Sequence, residues 1–266
     1  VMSTYLAENR LCINSDKTHL LCMSTRQKKR SNNQHQLTLN TGNEIITPSR
    51  TETLLGFKIH ENMSFSEYIV DNKDSLIKTL NKRIGALKKI KKVASFRAKL
   101  NIANGIIMSK ILYLLPLYGG CPDYLLSAIQ KKQTEAMRQV TGKRWVVPGR
   151  QFVSTAQLLK ECGWLSVRQL SVYTTVLSVH KTIVHKIPEV LYEHLTSGRR
   201  YETRGTKKNI VDRTSVDVSR LNIATTSYRW RGHQQHSSLP ESLKDERDLT
   251  IFKNKLKSWI QDNVQI

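Results

Sequence analysis

The chain has 266 residues, with 43 Lys and Arg against 21 Asp and Glu, a formal net charge of +22. That length allows one large domain or two small ones around a sizeable core, and a hydrophobic share of 39% is not the composition of a disordered chain. The charge is too lopsided for a typical soluble metabolic enzyme and points to a polyanionic partner, of which nucleic acid is the usual one.

The opening reads as a helix, with Met2, Tyr5, Leu6 and Leu11 at helical spacing and no cap before them. The expectation is a fragment that begins in mid-element. A strand-like stretch follows: an apolar run from His19 to Ser24, alternation at Leu37 and Leu39, turn chemistry at Thr41-Gly42-Asn43, a return at Glu44-Ile45-Ile46, and alternation from Thr51 to Ile59 around Gly56. These predict a small antiparallel sheet after one helix, with Arg26 to Gln36 as a polar loop. From about residue 65 the period becomes helical. Leu76, Leu80, Ile84, Leu87 and Ile90 or Lys91 mark one helix with lysines opposite; Leu100, Ala103, Ile107, Ile111 and Leu114 mark a second, more buried one. A third starts at Asp123 as its cap and stops at Gly142, with Leu126, Ile129, Ala136, Met137 and Val140 on one side. Ser154 or Thr155 caps a short helix ending at Gly163. Leu170, Thr174, Leu177, Lys181 and Val184 carry another before Pro188, Gly198 to Ser219 reads as a linker, and Leu249, Phe252, Leu256, Trp259 and Ile260 form an amphipathic last helix. The expected fold is mainly α with a small α+β N-terminal part. Its expected divisions are 1–62, 63–150, 151–197, a basic linker 198–227 and a tail 228–266.

The four cysteines, Cys12, Cys22, Cys121 and Cys162, form no Cys-x-x-Cys pair, which argues against a disulfide scaffold and a zinc site. The greasiest stretch, Ile111 to Leu117, is broken by Pro116 and far too short to span a bilayer. No basic-then-apolar leader opens the chain. The expected setting is intracellular, nucleus or cytoplasm, with no membrane partner. Neither Gly-x-x-x-x-Gly-Lys nor Gly-x-Gly-x-x-Gly occurs, so no Gly-rich phosphate loop is present. His180 and His185 are too far round a helix to share a metal, and no metal ligands are assigned. Adjacent aspartates are absent. Asp245-Glu246, the one adjacent acidic pair, reads as a helix cap.

The strongest signal in composition is the basic helix. Lys78, Lys82, Arg83, Lys88, Lys89, Lys91 and Lys92 flank an apolar stripe, and no acid lies between Ser75 and Tyr118 to balance them. Such a helix packs one face and offers the other to phosphates, giving affinity without sequence readout. The competing reading is a merely solvated face.

Two further motifs carry a resemblance. Asn14-Ser15-Asp16-Lys17-Thr18 follows the opening helix, and Thr53-Leu54-Leu55-Gly56-Phe57-Lys58-Ile59 comes later. Here the chain resembles the reverse transcriptases of non-LTR retrotransposons. In that family a helix runs into an Asn-x-x-Lys-Thr turn after the catalytic aspartate pair, then a hairpin ends in Leu-Gly, then a helical thumb follows. Ser64-Phe65-Ser66 is similar to the family's Leu-Ser-Trp. Lys110-Ile111-Leu112-Tyr113 resembles its Leu-Tyr-Gly-x-x-x-Trp region, and Ile129 to Arg138 its Leu-Gln-x-x-Gln-x-x-x-x-Arg helix. Leu158, Leu159 and Gly163-Trp164-Leu165 resemble its Leu-Leu-x-x-Leu-Gly-Trp-Leu. Tyr228 to Gly232, Ser238-Leu239-Pro240 and the helix of Phe252, Lys253, Lys255 and Leu256 resemble its terminal box. The terminal Trp-Asn is replaced by His236-Ser237, and the aromatic residue is displaced within Tyr113 to Gly120, departures that point to drift.

The resemblance implies the end of a polymerase palm, a thumb and a helical tail, able to hold an RNA–DNA primer–template duplex. It gives Lys17 a supporting catalytic role beside the leaving group, Asn14 and Thr18 the shaping of its turn, and Leu54, Leu55, Gly56 and Phe57 the place of the hairpin that holds the primer end. A plain turn and a plain edge strand are the alternatives. It also implies magnesium for the full-length enzyme, held by aspartates of an upstream catalytic part, so that this chain carries no cofactor and is expected to be inactive alone. Two alternatives stay open: a stand-alone, sequence-nonspecific nucleic-acid-binding protein derived from such an element, and a basic helical protein for acidic protein surfaces. Pro122-Asp123 followed by Glu135 faintly resembles an endonuclease spacing, but Asp123 sits where a helix cap belongs and no second acid-lysine step follows.

Overall fold

The computed structural model describes residues 5–6, 8–11, 13–24, 37–40, 44–143, 153–196 and 226–265. The loop 26–36, the turn 41–43 and the expected linker Gly198 to Ser219 lie outside them. The described chain is mainly helical with a few small sheets, and it parts into two compact units, Val1–Ser75 and Leu76–Ile266.

In the first unit the strands are short. β1 (Leu20–Leu21) pairs in parallel with β4 (Pro48–Ser49), β2 (Leu39–Asn40) pairs antiparallel with β3 (Ile45–Ile46), and β5 (Thr51–Leu54) pairs antiparallel with β6 (Phe57–His60). The expected single antiparallel sheet is therefore three two-stranded ladders, one of them parallel. Alternation reports a strand, not its partner's direction; a parallel partner requires a long connection, and residues 22–47 supply it. The β5–β6 turn places Leu55 at φ 51° and Gly56 at φ 73°, the two positive φ values of the hairpin turn that matches strand twist. Behind it, Phe57, Tyr68 and Ile69 are buried. The Phe57 and Tyr68 rings lie 4.5 Å apart and tilted, and the Thr51 hydroxyl donates to Glu67 Oε2 at 2.9 Å from a π-helical turn at Glu67–Asp71.

The second unit is a helical assembly. α1 (Leu76–Lys89) buries Leu76, Leu80, Ile84 and Leu87, as its spacing predicts. The second expected helix is interrupted: α2 (Phe96–Ala103) passes through a π-helical turn (Asn104–Met108) into α3 (Ser109–Leu112). Ala103, Ile107 and Ile111 are all fully buried. Their strict step of four over-advances a helix of 3.6 residues per turn, and the wider turn takes up the excess. Leu114 then leaves the helix at φ 57°.

α4 (Leu115–Tyr118) leads to α5 (Asp123–Thr141), which ends at Gly142 with φ 76°. Asp123 is the first helical residue rather than the cap, which is Pro122; its carboxylate instead accepts from Arg168 Nη2 at 2.6 Å. α6 (Thr155–Cys162) has the Ser154 cap closed reciprocally by Gln157, and stops at Gly163. α7 (Val167–His185) has a broader buried face than the expected stripe. Leu170, Thr175, Val176, Val179, His180 and Thr182 are buried while Lys181 is exposed, because helices pack on more than one side of it. α8 (Glu189–Thr196), α9 (Tyr228–Ser237), α10 (Glu241–Lys244) and α11 (Leu249–Asn263) complete the unit. α11 buries Phe252, Leu256 and Ile260, and its cap is Asp248, whose carboxylate accepts from the amides of Thr250 and Ile251. Asp245-Glu246 is thus not that cap: Glu246 pairs with Lys255 at 2.8 Å.

Candidate nucleic-acid interface

α1 positions the basic residues by its own amphipathicity. With four apolar side chains turned into the core, positions 78, 82, 85 and 89 fall on the opposite side, since steps of four, three and four residues return to one face. Lys78, Lys82 and Lys89 are exposed there, and Lys92 is exposed just beyond the helix, with Lys91 half-buried. Among the described residues these three stripe lysines have no ion-pair or hydrogen-bond partner.

The other two basic residues of α1 are held by neighbouring elements, Arg83 half-buried and Lys88 still exposed. Lys88 Nζ lies 2.9 Å from Glu135 Oε1 on α5, and Lys132 Nζ lies 3.0 Å from the other carboxylate oxygen. Burial pushes the Glu135 carboxyl up, and the two lysines outweigh it, leaving it below the ordinary range. The acid missing from the local sequence thus comes from α5. Arg83 donates through Nη1 to the carbonyl of Ile106 in the π-helical turn, where the regular ladder leaves carbonyls available. Nearby, burial and then the Arg83 charge lower the Lys110 ammonium below its usual value, and Lys110 sits over the Tyr113 ring at 5.2 Å. The seven basic residues of the sequence reading therefore divide into the outward stripe of Lys78, Lys82 and Lys89, the two pins Arg83 and Lys88 tied to neighbouring elements, and Lys91 and Lys92 just beyond the helix.

The first unit holds the other candidate residues. Asn14 and Thr18 flank a single helical turn at Ser15–Lys17, which Lys17 closes. The Asn14 side-chain oxygen accepts from the Lys17 amide at 3.1 Å, and the Thr18 hydroxyl donates to the Asn14 carbonyl at 2.8 Å. These bonds fix the turn from within, and the Lys17 side chain is exposed. His19, just after it, lies 3.6 Å from Glu52 on β5, so this turn and the β5–β6 hairpin are neighbours in space. Phe57 is buried, whereas Leu54 and Leu55 are 60% and 82% exposed at the hairpin tip. A leucine in left-handed backbone costs roughly 1 kcal/mol or more, and an exposed tip returns none of that through packing. The turn and hairpin belong to the first unit and the basic helix to the second.

Sequence reading weighed Glu135 only in an endonuclease spacing and missed its bridge to Lys88, which spans 47 positions and which no local period reports. It also placed Arg231 only within a motif and missed its role on α9, where it is buried and donates to the carbonyls of Thr226 and Pro116. The described residues contain no group of three His, Cys, Asp or Glu placed to hold a metal ion, and no helix long and apolar enough to cross a membrane. No family model, no curated protein and no solved structure matches the chain.

Proposed function

We propose that the chain is the C-terminal part of a non-LTR retrotransposon reverse transcriptase, and that it grips an RNA–DNA duplex through its backbone. The observation that carries this reading is the outward stripe of Lys78, Lys82 and Lys89, set opposite the buried leucines of α1 and left without acidic partners among the described residues. The stripe is made of point charges without aromatic residues, which suits phosphates rather than stacked bases. The internally braced Asn14–Thr18 turn and the exposed Leu54-Leu55-Gly56 tip add support, since each fits the place the resemblance gives it. Magnesium in this reading is held by carboxylates that the chain does not contain, and Lys17 acts only in their company.

The test is a titration of the purified chain with a labelled RNA–DNA duplex, matched single strands and heparin. Binding should fall steeply between about 50 and 200 mM salt, ignore sequence and favour the duplex. Salt-independent binding, or equal preference for any polyanion, contradicts the reading.

A further inference from the structure

Gly85 lies in the interior of α1, where glycine is the least favourable residue after proline. The described glycines otherwise have structural reasons. Gly56, Gly142 and Gly163 have positive φ, and a Cβ on Gly119, Gly120 or Gly232 would collide with Ser171, with the Thr226 carbonyl and Arg231, or with Val179. Gly105 falls inside the π-helical turn, where the ladder is already irregular. At Gly85 the backbone is regular, φ is ordinary and a Cβ would meet nothing within 4 Å. Packing does not explain it.

Its position in the helix does. Gly85 sits three residues after Lys82 and four before Lys89, on the same outward line as both and as Lys78. The stripe thus has a bare stretch of helix backbone at its centre, with ammonium groups on either side. The neighbouring outward residues, Asn81 and Ala86, are small or polar, and no aromatic ring stands on this face to stack a base. A side chain at 85 would stand between the lysines and hold any ligand off the helix.

We propose that Gly85 is a seat for the sugar–phosphate strand of a duplex, letting one strand cross α1 against its backbone while Lys78, Lys82 and Lys89 hold the flanking phosphates. This rests on the nucleic-acid reading above and adds a contact that charge alone does not require. An uncharged residue then controls affinity, whereas the lysines control both affinity and salt dependence.

The experiment compares Gly85→Ala, Gly85→Leu and Lys82→Ala in the full chain, measuring duplex affinity across a salt series together with the thermal midpoint. Alanine and leucine are better helix formers, so both glycine variants should keep or raise the midpoint. Gly85→Leu should weaken duplex binding about tenfold with the salt slope unchanged, and Gly85→Ala should weaken it less. Lys82→Ala should lower the slope by about one. Gly85→Leu binding as tightly as the parent, with Lys82→Ala weakened, overturns the seat and leaves the nucleic-acid reading standing. If Lys82→Ala also binds like the parent with the same slope, the stripe reading falls and the seat with it. If Gly85→Leu lowers the midpoint, Gly85→Ala decides: full affinity in that variant overturns the seat, and weaker binding at an undiminished midpoint supports it.

Discussion

Arg231 shows what a single buried side chain does in this chain. Its guanidinium donates to the carbonyls of Pro116 at 2.5 Å and Thr226 at 3.0 Å and to the Ser171 hydroxyl at 3.3 Å, with Leu117 at 3.5 Å. Pro116 and Leu117 lie within the single turn of α4, where so short a helix leaves carbonyls open to other donors, and a cation suits its C-terminal side. Burial works against the charge and lowers the Arg231 pKa, yet the rigid fork of donors meets several acceptors at once. Gly120 leaves the room, since a Cβ there would stand 2.5 Å from Arg231 Nε. The same pocket buries Cys121, whose thiol is pushed up to about 12, which makes it inert rather than nucleophilic. Arg231→Ala should cost about 2–4 kcal/mol in denaturant unfolding of the second unit, and Arg231→Lys should recover little of it. Parent-like stability in Arg231→Ala would show that the clamp is idle.

Among the elements, α7, α9 and α11 meet at buried histidines. His180 of α7 stacks on Phe252 of α11 with centroids 3.6 Å apart, its Nε2 bonds the Glu246 carbonyl at 2.8 Å, and His236 of α9 lies 5.9 Å away. Burial, and then the charges of His180, Lys244 and His233, depress the His236 pKa to about 4, with Glu241 opposing. His180 is lowered in the same direction by burial, against the pull of the Glu246 carbonyl and carboxylate, with His185 adding to the lowering. His236 is therefore neutral in the fold near neutral pH. Between the folded and unfolded values the unfolded chain binds more protons, so stability is complete above pH about 6.5 and falls as pH drops toward 4. His236 accounts for roughly 3 kcal/mol of that fall. Chemical denaturation from neutral to mildly acidic pH should show the loss, and His236→Leu should flatten it. A stability independent of pH over that range would contradict the assignment.

At the scale of the whole molecule, what was legible in the sequence was what is local. The Ser154 cap, the stops at Gly142 and Gly163 and the buried faces of α1 and α11 follow from neighbours within a few residues. Partners far apart in sequence were not legible. The parallel pairing of β1 with β4, the Glu135 bridge to Lys88, the Arg231 clamp and the broad buried face of α7 each depend on how elements pack. The candidate interface divides in the same way. Lysine spacing placed the stripe, but only packing separated Lys78, Lys82 and Lys89 from the pins Arg83 and Lys88.

That division supplies the most direct test. Salt slopes for RNA–DNA duplex binding should be compared among the parent chain, the combined Lys78→Ala, Lys82→Ala and Lys89→Ala variant, and Lys88→Ala. Each phosphate contact contributes a slope of about 0.9 for a B-form duplex. The combined variant should lose between about two and three in slope, whereas Lys88→Ala, already neutralised by Glu135, should lose well under about one. An unchanged slope in the combined variant would contradict the account.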